Sequence, residues 1–363
     1  MPHIITRKVE SVEQNWLKQL SNAISDPTKL LEALEIDPTP WQAGFAAREL
    51  FALRVPLSFV ERMEKGNPRD PLLRQVLPLS EEFEVHQGYS ADPLEEQENA
   101  IPGLLHKYKN RALMIVKGGC AINCRYCFRR HFPYQDNKGS KSVWQTSLDY
   151  VAAHSEINEV ILSGGDPLMA KDSELEWLIH AIEQIPHVKT VRIHSRLPVV
   201  IPARVTDELC QLLAQTRLNV VMVSHINHAN EINLELKQAI HKLKLSGATL
   251  LNQGVMLKGV NNSANSLKEL SEKLFDAGIL PYYMHVLDKV QGAAHFYISD
   301  EEAKHHFKGL ISEVSGYLVP KLTREIGGRS SKTPLDLHIE ERSCINETQY
   351  LNDSTSNHIS TSA

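Results

Sequence analysis

The sequence lacks three features that would each define a class of protein. No stretch approaches the roughly 20 consecutive apolar residues of a membrane helix. The N-terminal MPHIITRKVESVEQNW contains acidic residues and no long apolar run, unlike a signal peptide. Positive charge is not in excess, because 39 Lys and Arg stand against 44 Asp and Glu, for a formal charge of -5. We therefore expect a cytoplasmic protein whose main partner is neither a membrane nor nucleic acid.

Cysteine is also scarce, with five in 363 residues, which is too few for a disulfide framework in a chain of this length. Three of the five nevertheless lie close together, at Cys120, Cys124 and Cys127. Such clustering suits a metal site in a reducing cytoplasm. Cys210 lies in an apolar helical segment, where we expect a core role. Cys344, in the tail, receives no role.

Apolar residues, 42 % of the chain, are arranged in two different ways along the sequence. Residues 1–95 predict an N-terminal helical region, and 71–100 are interpreted as an acidic linker. In residues 96–330 short apolar runs alternate with amphipathic segments, which predicts strands followed by helices. The predicted strands are 112–116, 159–162, 189–193, 219–223, 249–256 and 280–286. The clearest helical segments between them are 173–185, 207–215, 233–245 and 266–277.

Six strand–helix units at about 30-residue spacing indicate a parallel sheet with helices outside it. Six units are fewer than the eight of a closed barrel. The predicted fold is therefore α/β, an open partial (β/α)6 barrel with an N-terminal helical extension and a C-terminal tail. The pattern decays through 331–345, and residues 346–363, rich in Ser, Thr and Asn, predict a disordered tail.

The cysteine motif, CxxxCxxC, comes directly after the first predicted strand of the barrel. Iron–sulfur clusters are held by cysteine thiolates, most often four. This loop supplies three, which would leave one iron of a cubane open to a substrate. The alternative is a structural zinc site, but such sites use four ligands, commonly as two separated pairs. His131 is the nearest fourth ligand and is cramped just past Cys127, so the motif favours the cluster.

Polar residues stand at the ends of the other predicted strands, where chemistry collects in barrels of this kind. Taken singly, each has a structural explanation: the Gly-Gly-Asp-Pro segment as a turn, His225 as a buried core histidine, Asp288 as a helix cap. Their recurrence on strand after strand indicates one continuous ligand surface. These strand ends are 163–167, 194–196, 224–225, 252–253 and Asp288.

Six sequence blocks in order resemble the radical S-adenosylmethionine (SAM) enzymes, specifically the lysine 2,3-aminomutases. The blocks are GGCAINCRYCFRRHF, ILSGGDPL, VRIHSRLPVVIP, SHINHANEI, LLNQGVMLKGVNN and YYMHVLDKVQGAAHF. The resemblance extends over about 106–332, and the short length is similar to the bacterial branch that makes β-lysine for modification of elongation factor P. It implies an isomerase with a partial barrel of the radical SAM type. The implied cofactors are a [4Fe-4S] cluster, SAM and pyridoxal phosphate. The implied partners are lysine and an electron donor, and a homo-oligomer is compatible with it.

The resemblance also implies residue roles. Cys120, Cys124 and Cys127 match the cluster ligands. Lys332 matches the lysine that forms a Schiff base with pyridoxal phosphate, although alone it would be interpreted as a solvated lysine on a Gly/Ser loop. The remaining matches are Lys107, Tyr108 and Arg111 for the cofactor phosphate, Gly164, Gly165, Asp166, Ser195, His225 and Gln253 for SAM, Arg129 for the substrate carboxylate, and Asp288 and Glu325 for its distal ammonium.

The chain departs from the family pattern at three points. Lys107 stands in place of an arginine, which keeps the charge but loses the planar fork. Glu325 stands in place of an aspartate, and only Cys344 remains where longer members carry zinc cysteines. The acidic pair favours lysine as substrate over the first alternative, an aminomutase acting on glutamate. The alternative from a different class is a zinc-stabilised binding module.

Overall fold

One mixed sheet organises the part of the chain that the computed structural model describes, residues 12–97, 101–137 and 139–338. Its nine strands are hydrogen-bonded to one another in chain order. The strands are β1 Leu104–Tyr108, β2 Arg111–Lys117, β3 Glu159–Gly164, β4 Thr190–Ser195, β5 Asn219–Ser224, β6 Thr249–Val255, β7 Leu280–His285, β8 Lys321–Arg324 and β9 Thr333–Pro334.

The central strands β2 to β8 run parallel to their neighbours, whereas β1 and β9 pair antiparallel with β2 and β8. The six strands predicted from the sequence are β2 to β7, and all six are confirmed. Within the described residues β1 and β9 stand at opposite edges of the sheet and do not pair with each other, so the barrel is open. The predicted partial barrel is therefore confirmed, with three further strands that the sequence pattern did not reveal.

Helices follow the parallel strands along the chain, as the predicted strand–helix alternation requires. The four helical segments predicted inside the barrel correspond to α7 Asp172–Glu183, α9 Asp207–Gln215, α10 Leu234–Leu245 and α11 Ala264–Asp276. Several helices begin at a Ser, Thr or Asn whose side chain accepts a backbone amide hydrogen bond of the first turn. The helices are α1 Val12–Ser21, α2 Pro27–Ala33, α3 Ala47–Leu50, α4 Leu57–Val60, α5 Pro71–Arg74, α6 Lys141–Ala153, α7 Asp172–Glu183, α8 Leu197–Val200, α9 Asp207–Gln215, α10 Leu234–Leu245, α11 Ala264–Asp276 and α12 Asp300–Glu313.

The two faces of the sheet differ in polarity. The face that packs against the helices is apolar and belongs to the main hydrophobic core, with members such as Met114, Leu162, Ile193, Met222 and Leu250. Successive residues of a strand point to opposite faces. The opposite face therefore receives polar side chains, among them Ser163, Arg192, His194, Gln253 and His285. This inner face is the more polar of the two, although Ile115 on it belongs to a small separate hydrophobic cluster.

The N-terminal region packs on the barrel as part of the same core. Trp16 and Leu30 belong to the hydrophobic cluster that also contains the strand residues. The segment after α4 does not act as a linker, because Leu72 and Leu73 of α5 are fully buried in that cluster. The interpretation of 71–100 as a linker is therefore wrong over α5, where Asp70 caps the helix through the amides of both leucines.

Two other expectations concern the chain outside the barrel. Cys210 lies in α9 and packs against the main core, as expected. The predicted disordered tail, 346–363, and Cys344 lie outside the described residues. Among the described helices, none is at once long and apolar enough to cross a membrane.

Candidate active site

The loop after β2 brings the three predicted cluster cysteines close enough for their thiols to influence one another. Burial, with the neighbouring Cys124 adding to it, raises the pKa of the Cys127 thiol to about 11. Burial and then Cys127 raise the pKa of the Cys120 thiol well above its ordinary value. Such thiols keep their protons at neutral pH until a metal displaces them. Three thiols on one loop, within electrostatic reach of one another, are the kind of donor set that a cubane cluster takes.

Among the described residues, no group of three or more His, Cys, Asp or Glu side chains is placed to hold a metal ion. His131, the fourth ligand of the zinc alternative, has its Nε2 3.3 Å from the carbonyl oxygen of Gln291.

The turn after β3 that contains Gly164 and Gly165, the glycine turn, is hydrogen-bonded to the loop after β2 that carries the three cysteines, the cysteine loop. The amide of Gly165 donates to the Lys117 carbonyl at 2.8 Å, and the amide of Asp166 donates to the Gly119 carbonyl at 3.0 Å. A Cβ atom on Gly165 would lie 2.6 Å from the Gly119 oxygen, so the two backbones approach as only glycine permits. A Cβ on Gly119 would meet no atom within 4 Å, and the loop therefore leaves open space beside the thiols.

Asp166 and Ser195 contact each other in the structure. One carboxylate oxygen of Asp166 accepts from Ser195 Oγ at 2.8 Å, and the other accepts from the amides of Arg196 and Leu197, both at 2.9 Å. The carboxylate thus ties the end of β3 to the end of β4.

The two other side chains matched to SAM lie further along the sheet. His225 stacks on Tyr126 with ring centroids 5.7 Å apart, and burial, with Arg196 adding to it, lowers its pKa to about 3. Gln253 Nε2 lies 3.4 Å from Nδ1 of His194, across the inner face. The other ring nitrogen of His194 is buried with no hydrogen-bond partner among the described residues. A buried polar atom without a partner needs an explanation, and a bound water or ligand can supply the missing hydrogen bond.

Arg129, matched to the substrate carboxylate, is held by a residue that the sequence did not single out. Its Nε donates to Glu96 at 2.7 Å, and its Nη1 donates to Ser163 Oγ at 3.2 Å. Lys107 donates to the same Glu96 carboxylate at 2.9 Å. Glu96 is buried, which alone would raise its pKa, but Arg129 and Lys107 hold the pKa below the ordinary value. An ionised carboxylate thus stands between the two cations.

Glu325 joins the residues matched to pyridoxal phosphate. It accepts from Lys332 Nζ at 2.6 Å and from Tyr108 Oη at 2.9 Å, and Lys107 Nζ lies 3.9 Å away. Burial, with Glu325 adding to it, raises the pKa of Tyr108, so the phenol remains a donor at neutral pH. The Arg111 guanidinium lies over the Tyr108 ring, 4.1 Å from its centroid. The predicted phosphate residues and the predicted Schiff-base lysine are therefore adjacent.

Asp288 and Glu325 line one cavity of about 640 Å³ between the ends of β7 and β8 and the segment around Leu94. Burial, and then the nearby Glu325, raise the pKa of Asp288 to about 7, against the opposing effect of Lys332. The two acids predicted to receive the distal ammonium are thus brought together, within electrostatic reach of Lys332.

The sequence reasoning missed the acids Glu96 and Glu231, and it did not predict the contact that Arg196 makes. Glu96 lies in the segment interpreted as a linker, and nothing in the sequence distinguishes it from its acidic neighbours. Arg196 follows Ser195 at a strand end that the sequence did mark, and its guanidinium donates to the Sγ of Cys124. Its ion-pair partner Glu231 is fully buried and gives no signal in the sequence that separates it from a surface glutamate.

Comparison with known proteins agrees with this geometry. The model of the radical SAM superfamily matches residues 114–264, which include the three cysteines and the glycine turn. The L-lysine 2,3-aminomutase of Escherichia coli K12 is 60% identical over 343 residues, 94% of this chain and 100% of that protein. The enzyme of the same name from Haemophilus influenzae is 62% identical over 88% of this chain and 95% of its own length. That of Clostridium subterminale is 33% identical over 88% of this chain and 77% of its own length.

A radical SAM fold with three cysteines on the loop after β2, packed against the glycine turn after β3, defines the class, a radical SAM enzyme. Within that class, the chain belongs to the lysine 2,3-aminomutase family, whose members are isomerases. The cofactors of this family are a [4Fe-4S] cluster, SAM and pyridoxal phosphate. The thiols of the cysteine loop, the orphaned His194 nitrogen and the cations around Lys332 fit these groups.

Proposed function

We propose that this chain is a pyridoxal-phosphate-dependent radical SAM aminomutase that converts L-lysine to β-lysine. The observation that carries the proposal is a continuous chain of ionic contacts from Lys332 through Glu325, Lys107 and Glu96 to Arg129. The 60% identity to an L-lysine 2,3-aminomutase supports it. The proposed use of the product, modification of elongation factor P, rests on the likeness in length to the bacterial branch with that role.

The cysteine loop and the glycine turn are proposed to hold the cluster and SAM. Cys120, Cys124 and Cys127 bind the cluster, and the backbone of Gly164 and Gly165 takes the methionine part of SAM. Exchanging an unactivated hydrogen with an amino group needs one-electron chemistry, which these cofactors supply and side-chain acids and bases do not. The protein holds the reacting atoms in line and keeps water away from them.

The cations on the other side of the site are proposed to hold pyridoxal phosphate. Lys332 is the residue that attaches to it, which requires its Nζ to leave Glu325. Lys107, Tyr108 and Arg111 supply two positive charges and a phenolic donor for the phosphate. A cation next to a phosphate is strongly favoured in a buried site, because water no longer screens the pair.

The two charged ends of the substrate are proposed to bind residues of opposite charge at different places in the site. Arg129 binds the substrate carboxylate, and Glu96 must release Arg129 when the substrate binds. Asp288 and Glu325 take the distal ammonium in the cavity that they line. Glutamate would place a third carboxylate beside these two acids, and the repulsion disfavours it as a substrate.

The test is an anaerobic assay of the reconstituted protein with carbon-13-labelled lysine, SAM, pyridoxal phosphate and a strong reductant, read by NMR. We expect free labelled β-lysine as the product. The matched variant is Lys332→Ala, which should form no β-lysine. Borohydride should no longer fix the cofactor to this variant, but its iron content should not change.

Three results would contradict the proposal. β-Glutamate formed from glutamate, with lysine unchanged, would favour the aminomutase alternative. Zinc without iron or acid-labile sulfide after anaerobic purification would favour the zinc-stabilised module. Borohydride attachment to a lysine other than Lys332 would reject the assignment of that residue.

A further inference from the structure

A buried arginine touches one of the three clustered thiols. Nη1 of Arg196 donates to the Sγ of Cys124 and also to Tyr126 Oη at 2.6 Å. Arg196 follows β4, whereas Cys124 belongs to the loop after β2, so the contact depends on the fold and not on sequence proximity. Nothing in the roles proposed above uses this guanidinium.

The guanidinium is fixed from its other side by a buried acid and a buried amide. Nη2 donates to Glu231 Oε2 at 2.9 Å and to Gln75 Oε1 at 2.7 Å. The second oxygen of Glu231 accepts from the amides of Asn227 and His228 at 2.9 and 3.1 Å. Burial opposes ionisation of Glu231, but Arg196 and these hydrogen bonds lower its pKa, so the pair is ionised. The positive charge on Arg196 is therefore held in one orientation.

We propose that Arg196 sets the reduction potential of the cluster by donating to the sulfur of Cys124, and that Glu231 partly neutralises the charge of Arg196. The inference rests on the proposed function in one respect, that Cys124 ligates the cluster. Reduction adds a negative charge that spreads onto the ligand sulfurs. A donor bearing a positive charge stabilises the reduced cluster more than the oxidised one and raises its potential. Arg196 is a positioning and tuning residue and need not touch SAM or lysine.

The experiment is a potentiometric titration of the reconstituted cluster, with the reduced form measured by its electron paramagnetic resonance signal. At the potential that half-reduces the wild type, Arg196→Gln should lower the ratio of reduced to oxidised cluster about tenfold, the effect of losing one charge-assisted hydrogen bond. Glu231→Gln should raise that ratio, because the guanidinium is no longer neutralised. A purely structural role would not shift the ratio in opposite directions.

Arg204→Gln is the matched control. Arg204 is also fully buried after β4, but it donates to the carbonyls of Leu168 and Ala170, away from the thiols. It should lower stability without changing the ratio. Wild-type protein that takes up no iron would reject the proposed function and not this inference alone.

An unchanged ratio in an iron-replete Arg196→Gln protein would overturn the inference. If that variant assembles no cluster, Arg196→Lys and Glu231→Gln decide. A ratio of reduced to oxidised cluster within about twofold of wild type in both of these variants would overturn the inference. The inference would also be overturned if all three variants remained folded but assembled no cluster, because Arg196 would then serve cluster assembly and not the potential.

Discussion

The two carboxylates of the cavity have opposite pKa shifts, and the difference has a functional consequence. For Asp288, burial and Glu325 raise the pKa to about 7. For Glu325, burial is outweighed by its contacts with Lys332 and Lys107, and the pKa is lowered. At neutral pH Glu325 is ionised while Asp288 is close to half-protonated. Binding of an ammonium group would therefore complete the ionisation of Asp288.

The first prediction at the residue scale concerns Asp288→Asn. Ionised Asp288 should favour lysine binding, so wild-type kcat/KM should rise as pH increases through about 7, the free-enzyme pKa. Removing the charge should abolish this rise. It should also lower kcat/KM for lysine about a hundredfold, the usual loss when a buried charge pair is broken. The measurement is a pH profile of β-lysine formation, alongside SAM binding, which should change little.

Glu325→Gln is the comparison variant for Asp288. Because Glu325 is already ionised through Lys332, its replacement should lower activity without abolishing the rise with pH, but the rise should move to lower pH, since Glu325 helps to raise the pKa of Asp288. A gain in glutamate turnover by Asp288→Asn would reject the lysine pocket, since it would mean that the acid repels the substrate.

Sequence reasoning predicted the residue types of the site better than their contacts. Glu325, Lys332 and Tyr108 were each matched to a role, and the structure brings them into direct hydrogen bonding. The partner of Arg129 was not predicted, because Glu96 reaches it from a segment 33 residues away and its neighbours in the chain are equally acidic. Such a contact depends on packing between distant segments, for which a single sequence contains no local signal.

At the scale of elements, the junction between the cysteine loop and the turn after β3 depends on Gly165. An added Cβ would meet the carbonyl oxygens of Gly119 and Gly118 at 2.6 and 2.8 Å, and these backbone atoms cannot rotate away. Gly165→Ala should therefore separate the two loops and cost about 1–3 kcal/mol of folding stability, as overpacking does. We also expect a clear loss of iron per chain after anaerobic reconstitution. Urea unfolding and iron analysis measure the two effects.

Gly316→Ala is the matched control for this junction. A Cβ at Gly316 would meet no atom within 4 Å, so iron content and the urea midpoint should stay close to wild type. Full iron loading by Gly165→Ala at wild-type stability would show that the loops do not need this close approach.

The strands illustrate what a hydrophobic pattern can and cannot reveal. β2 to β7 were predicted because each includes an apolar run that packs under the helices. β8 and β9 were missed because KLTR and TP are short and mostly exposed or polar, and they form by pairing with neighbours already in place. Lys332 immediately precedes β9, so the placement of the proposed cofactor lysine depends on the least predictable part of the sheet.

At the scale of the whole molecule, the sequence suggested an N-terminal region, 1–95, distinct from the barrel core, 96–330. Buried side chains of both regions, such as Leu72 and Leu162, share the main hydrophobic cluster. Polar contacts also connect them: Ser58 Oγ donates to the Val200 carbonyl at 2.6 Å, and Arg62 donates to the Val199 carbonyl at 2.6 Å. Two regions with a shared core are expected to unfold together.

Trp16 allows a test of this cooperativity. Its side chain is 1% exposed, and the guanidinium of Arg204, from the barrel, lies 4.9 Å from its ring centroid. Trp16→Ala should lower the free energy of unfolding by about 3–5 kcal/mol, as for other buried aromatic residues. Urea transitions followed by far-ultraviolet circular dichroism and by the cluster's visible absorbance should shift together. Tyr317→Ala, at a side chain 59% exposed, should change the same transitions by about 0.5 kcal/mol or less. A Trp16→Ala protein that loses helical signal in a separate early transition, with the cluster absorbance unaffected, would show that the N-terminal region is an independent domain.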